Sequence, residues 1–326
     1  MCFLSSADRA GRTGHGQLIG TAITLALVDA TDPGHLAVPL RQRFTLGTVR
    51  LELIPSGRGF GAAALHVDVA GRTVLYAGAV RTSAAGVGDA AEVRTADTVV
   101  VAAPYGEPQH QFPPLAGVVA AAIDWTRAQL AAGRWPVLFV DTVLDGLEVA
   151  SRLAAEGVPV AGGRALREAA QRITQLVPPP QRVDGEIVIG RSQAARLASG
   201  SQTIPPVGPE LGSGIPVIAA LGREPRAIVW LDAERMALTR GLGDRPVATA
   251  LASARAIEGP AGYDTALAWA FAADRGQLLS WIEATGARAV FVTGACADAI
   301  VSALGARARI IGPPHQMQLF PREATS

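Results

Sequence analysis

The chain contains no lysine. Its 29 basic residues are all arginine, against 28 acidic ones, for a net charge of +1. No global field therefore draws it to nucleic acid or to an anionic membrane surface. Beside so much Ala and Gly, the arginine-only usage fits a GC-rich genome better than a design for binding phosphate. Cysteine is nearly absent. Cys2 and Cys296 are the two present, which excludes a disulfide framework and fits a reducing compartment. No apolar run approaches the ~18 residues a spanning helix needs, and the N-terminus lacks the charged-then-apolar pattern of a secretory signal. There is no phosphate-binding glycine loop either: Gly241-Leu242-Gly243 has neither the preceding strand nor the third glycine. These absences predict a cytoplasmic protein that makes no use of the membrane.

What is present is a long, rather apolar chain. Of 326 residues, 49% are hydrophobic and 17% charged, enough for one large or two smaller domains with ample core. Its clearest segment is Leu51 to Arg81. Val49, Leu51 and Leu53 alternate with polar neighbours and stop at Pro55-Ser56-Gly57. Leu65, Val67 and Val69 alternate again and stop at Ala70-Gly71, and Val74 to Ala77 ends on Gly78. This predicts three strands joined by two glycine turns. Gly16 to Val28 reads as a short helix. From Leu115 the period changes to that of a helix, ending at Ala131-Ala132-Gly133. A buried-type strand at Val137–Val140, a helix from Gly146 to Glu156, a strand at Val158–Val160 and a helix from Ala165 to Leu176 follow. Strand and helix alternating at this spacing predict a parallel α/β layer. Val177 to Gln181, with three consecutive prolines, reads as an extended connector. Ile187–Ile189, Ala194–Ala198, Ile215–Leu221 and Ala227–Leu231 continue the layer less clearly.

Several segments also carry a resemblance. Pro55-Ser56-Gly57-Arg58-Gly59-Phe60-Gly61-Ala62-Ala63 followed by Ala77-Gly78-Ala79 resembles the "P-x-G-H-x-x-G-S-A … S-G-D" portion of metallo-β-lactamase-fold nucleases. The similarity is closest to the β-CASP branch, in its DNA-ligase-associated, exonuclease-like group. Ser5 to Arg12 falls where that family has its metal-binding loop. Asp97 and Gly106 match a further strand and turn, with the acidic residue there replaced by Ala102. Phe271 to Ile282 matches a helix entry, and Thr285 to Ala295 a strand ending in "V-T-H-G". The resemblance implies a metallo-β-lactamase-like αββα sandwich with an inserted Rossmann-like β-CASP lobe. Residues 1–115 would form its first part with the opening strands missing, leaving a sheet edge open to a partner; 116–246 would be the insertion and 247–326 the second part.

The same overlay places non-ligands at every recognisable metal-ligand position: Ser5, Ala7, Arg9, Ala10, Arg58, Ala79, Phe271, Ala272 and Gly294. Zn²⁺ or Mn²⁺ requires imidazole and carboxylate, which Ser, Ala, Arg and Gly do not supply. A two-metal hydrolase stripped of its ligands has lost its nucleophile and its charge stabilisation. The expectation is therefore a pseudoenzyme without metal or cofactor. It would be a structural or regulatory subunit pairing with an active nuclease, a ligase or another DNA-repair or processing protein, or with itself. A second reading is a nucleic-acid-binding module in which Arg9, Arg12 and Arg58 meet phosphate; alternatively these arginines fill the vacated pocket by pairing with buried carboxylates such as Asp274. A third is an enzyme with relocated chemistry at His110, Asp141 or Asp145. Each of these has a plainer explanation: His110 as a loop histidine, Asp141 and Asp145 as a cap and a solvated turn, Asp274 as a helix N-cap, and strand residue His66 as a satisfied surface or core residue.

Overall fold

The computed structural model describes residues 1–8, 16–30, 32–84, 88–176, 215–260 and 262–312, and the backbone of 181–183 and 186–188. Arg9, Ala10, Arg12, the connector at 177–180, the 194–198 segment and His315 lie outside these residues.

The chain opens with a small parallel sheet of three strands, β1 (Cys2–Phe3), β2 (Leu18–Gly20) and β3 (Leu36–Ala37), in that order, so β1 is an edge. Helix α1 (Ala22–Leu27) follows β2. The Thr21 hydroxyl caps it by accepting from the Thr24 amide at 3.1 Å. The stretch expected to be one helix is thus split. Leu18, Ile19 and Gly20 are all buried in a strand flanked by β1 on one side and β3 on the other, and the helix starts only where the Thr21 cap permits it.

The three expected strands form an antiparallel meander. After β4 (Arg43–Leu46) come β5 (Val49–Pro55), β6 (Ala63–Val69) and β7 (Arg72–Ala79). Ala70 and Gly71 both have positive φ, as a two-residue hairpin turn with the right twist requires. In the loop after β5, a Cβ on Gly57 would sit 2.0 Å from the Arg81 carbonyl oxygen, so only glycine fits that crossing. Strand β8 (Thr98–Ala102) then joins β7 in parallel.

Helix α2 (Leu115–Ala131) leads into the second lobe: β9 (Trp135–Val140), α3 (Val143–Ala155), β10 (Val160–Gly162) and α4 (Arg164–Leu176). A two-stranded ribbon, β11 (Gln181–Val183) and β12 (Glu186–Val188), is followed by β13 (Ile218–Ala219), β14 (Ala227–Leu231), α5 (Arg235–Leu242), β15 (Val247–Ala252) and β16 (Thr265–Leu267). Strands β13-β10-β14-β9-β15-β16 form a six-stranded sheet, and every pair in it is parallel. All six residues of β9 are buried. Leu138 and Val140 enter one core, while Trp135, Val137 and Phe139 enter the other, as a strand covered on both faces demands. Since β15 and β16 belong to this sheet, the lobe runs past the expected boundary at 246 to at least Leu267.

The chain then returns with α6 (Arg275–Ala284), β17 (Ala289–Thr293), α7 (Ala297–Leu304) and β18 (Ala308–Ile310). These complete a seven-stranded sheet in the order β18-β17-β8-β7-β6-β5-β4. Alternation decides its two faces. Ile54, Ala64, Leu75, Val99 and Val290 pack with α6 and α7; Leu53 and Ala63 pack against Ile19 and Val38 of the small sheet region. Leu18, Leu25 and Val28 hold α1 over the far side of that small sheet. The first lobe is therefore layered helix, sheet, sheet, helix. The molecule is mixed α/β, and no described helix is long and apolar enough to cross a membrane.

Candidate functional site

Both large sheets aim the carboxyl ends of strands at one cavity of about 820 Å³. From the seven-stranded side come Ala79 at the end of β7, Ala102, Pro104 and Tyr105 at and after the end of β8, and Gly294 after β17. From the six-stranded side come Asp141, Thr142 and Asp145 after β9, and Arg255 after β15. Ser5, Ser6 and Asp8 close it from the N-terminal segment, and Phe271 and Ala272 from the returning chain. Carboxyl strand ends are where α/β sheets leave room for ligands.

Ser5, Arg58, Ala79, Phe271, Ala272 and Gly294 are far apart in sequence, yet all line this cavity. Ala7 instead packs into the neighbouring apolar cores.

Arg58 occupies the inner wall. Its Nη2 lies 2.8 Å from Asp8 Oδ2 and 2.8 Å from Asp145 Oδ1, and its guanidinium carbon is 5.6 Å from the centre of the Phe271 ring. The Asp145 contact has ion-pair distance without hydrogen-bond alignment, and Arg58 Nη1 and Asp8 Oδ1 are buried with no hydrogen-bond partner. Burial opposes the charge on Arg58, but Asp145 and Asp8 outweigh it and raise its pKa above the ordinary range. Burial also pushes the Asp145 carboxyl up to about 6, opposed by Arg58 and reinforced by Asp8. Asp145 is fixed by its helix as well. Thr142 is the N-cap of α3, its hydroxyl accepting from the Asp145 amide, while Asp145 Oδ2 accepts from the Thr142 amide at 3.1 Å. The capping expectation thus holds in altered form: Thr142 is the cap, and Asp145 is buried at 2% rather than in a solvated turn.

Asp141 sits at the rim. It accepts from Ser253 Oγ and from Arg255, and Arg255 also reaches Asp232 at 3.1 Å. Asp141, then Asp232, holds the Arg255 pKa above its ordinary value. Tyr105 stands across the cavity. Burial, with Asp141 and Asp145 adding, pushes its phenol up to about 12, so it keeps its proton at neutral pH.

Other expected residues fall elsewhere. His110 does not line the cavity. Its Nδ1 accepts from the amides of Gly106 and Glu107, both at 3.2 Å, and its ring stacks on Phe112, so it closes its own loop. Asp274 is the N-cap of α6, accepting from the Gln277 amide at 2.8 Å; it is not the partner of Arg58, whose partners are Asp8 and Asp145. His66 is a strand residue with Nε2 3.3 Å from the Thr95 carbonyl.

The residues do not fit the metal pair of the resembled family. Arg58 places a cation among the converged positions, and among the described residues no group of three or more His, Cys, Asp or Glu is arranged to hold a metal. At Gly294 the backbone itself forbids the family's histidine: φ is +104°, and a Cβ would lie 2.9 Å from the Ala103 carbonyl oxygen.

Asp8, Tyr105, Glu148 and Arg255 were not singled out by sequence reasoning. A signal existed for Glu148. With Asp145 it forms an acidic pair three residues apart in the otherwise apolar first half of α3, a spacing that puts both on one face. A scan against protein-family models finds no match, and a search of curated proteins returns none.

Proposed function

We propose that the chain is a non-catalytic relative of the metallo-β-lactamase/β-CASP nucleases, a pseudonuclease serving as a structural or regulatory subunit in nucleic-acid processing or repair. The observation that carries this reading is Arg58, clamped by Asp8 and Asp145 amid five other positions where the family's ligand pattern would converge. A guanidinium there supplies by ion pairing the cohesion that metals and their ligands would otherwise give. The helix–sheet–sheet–helix layering and the inserted parallel lobe support the reading as well.

The cavity disfavours the arginine-lined phosphate cleft. Among the described lining residues, three carboxylates face two arginines, and Arg58 and Arg255 are each engaged by two acids. Relocated catalysis has less support still, because His110 sits behind Tyr105 rather than in the lining, its Nδ1 taken by its own loop, and Asp141 is held by Ser253 and Arg255.

The test is elemental analysis of the purified protein, with single- and double-stranded nuclease assays in Mn²⁺ and Zn²⁺ on the same sample. The expected result is no stoichiometric metal and no cleavage. Bound metal together with cleavage would overturn the proposal.

A further inference from the structure

We infer that the cavity between the two sheets is a binding site for an uncharged ligand that combines a planar ring with hydroxyl groups, the chemistry of a nucleoside. The inference deepens the pseudonuclease reading and rests on it: the cleft has been kept, and its occupant changed.

Four observations carry it. The cavity, at about 820 Å³, lies within the range that encloses a drug-sized molecule. Its arginines are committed: each described arginine of the lining is held by two carboxylates, Arg58 by Asp8 and Asp145 and Arg255 by Asp141 and Asp232, so acids outnumber bases. A phosphate or carboxylate ligand would find both described arginines of the lining already compensated by two carboxylates each, with the partnerless Arg58 Nη1 buried, and would meet Asp8, Asp141 and Asp145. The hydroxyls are the reverse case. Ser5, Ser6 and Tyr105 line the cavity, and none of them makes a side-chain hydrogen bond to a described residue, so all three can serve a ligand. Tyr105 keeps its proton at neutral pH and so donates. Lastly, rings form part of the wall. Phe3 and Tyr76 meet edge to face at 6.0 Å, and Tyr76 is 40% exposed, which leaves an aromatic surface for a planar ring to stack on.

Such a ligand could come from a free nucleoside or from the terminal nucleoside of a nucleic-acid strand; the two share ring and hydroxyls and differ in phosphate. Isothermal titration of the full chain distinguishes them with adenosine, guanosine, cytidine and uridine, their 5′-monophosphates, and a short single-stranded oligonucleotide. At least one nucleoside is expected to bind one to one with Kd below about 1 mM, and its monophosphate at least about tenfold more weakly, since a phosphate would enter an acid-rich site. Tyr105→Phe should weaken nucleoside binding by about tenfold while Tm holds, the effect of one lost ligand hydrogen bond. Ala79→Leu, which fills the cavity, should abolish binding.

No nucleoside binding below about 1 mM, equal binding by Tyr105→Phe, or tighter binding of the monophosphate would overturn the inference; tighter binding of the oligonucleotide than of the nucleoside, lost in Tyr105→Phe, would support it with the strand terminus as the source. Metal content of the same sample is read separately. A metal-free, inactive protein that binds no nucleoside would overturn this inference alone; a metal-bearing, cleaving one would overturn the pseudonuclease reading.

Discussion

Two arginines from the first lobe reach carboxylates one turn apart on α3, and they do so differently. Arg81 meets Glu148 as a fork on a fork, Nη1 to Oε1 at 2.8 Å and Nη2 to Oε2 at 2.9 Å. Trp269 Nε1 adds a third donor to Glu148 at 2.9 Å, and both charged side chains are almost wholly buried, at 3% and 1% exposed. Arg58 instead divides one nitrogen between Asp8 and Asp145, and leaves its other terminal nitrogen without a partner. The first bridge ties together the meander, α3 and the returning chain in a matched geometry. The second lines an opening and is only partly satisfied. The difference separates a joint between lobes from the wall of a site.

The comparison can be broken most forcefully at the joint. Glu148→Ala leaves Arg81 buried without its counter-charge and Trp269 without its acceptor. Unfolding in urea should show a loss of about 3–5 kcal/mol; a loss below about 1 kcal/mol would mean the bridge does not hold the lobes.

The site wall is tested next by pH. Asp145 ionises from 3.8 in the unfolded chain but near 6 when folded, so the folded state holds that proton more tightly. Its contribution is full below about pH 3.8 and is lost as pH rises through about 6. Asp145→Asn removes this dependence. The stability of the variant relative to the parent should therefore rise by up to about 3 kcal/mol between about pH 4 and about pH 7, at ~1.4 kcal/mol per pKa unit. A flat difference across that window would remove the raised Asp145 from the account.

Arg58→Met should cost less than the change at Glu148, about 1–2 kcal/mol, because Asp145 can take a proton once its cation is gone whereas Arg81 cannot shed one. If it costs as much as Glu148→Ala, the two bridges are equivalent and the contrast fails. Smallest of all, Asp274→Ala should cost about 1 kcal/mol as the loss of a helix cap, with no change in nucleoside binding. A change in binding would put Asp274 back among the site residues.

Much of the scaffold was readable because it obeys local rules. The period-two runs became β5 to β7, and the helical run after Leu115 became α2. No local signal says that Arg58, Ala79, Phe271 and Gly294, far apart in sequence, line one cavity. What escaped was the pairing. Arg58 is bound by Asp8 and Asp145, and nothing in a one-dimensional chain says which of many aspartates a buried arginine will meet. Strands β15 and β16 were not singled out from the sequence, and only the pairing of β15 with β9 and of β16 with β15 assigns them to the six-stranded sheet.

The cavity wall draws on Ser5, Arg58, Asp145, Arg255, Phe271 and Gly294, so it exists only when the returning chain has docked on both sheets. Closing such long loops makes assembly of the wall a late event in folding. Any occupant of the cavity would then act chiefly on escape from the native state: it would slow unfolding while leaving the refolding rate nearly unchanged, because the transition state for folding has yet to form the place where it binds.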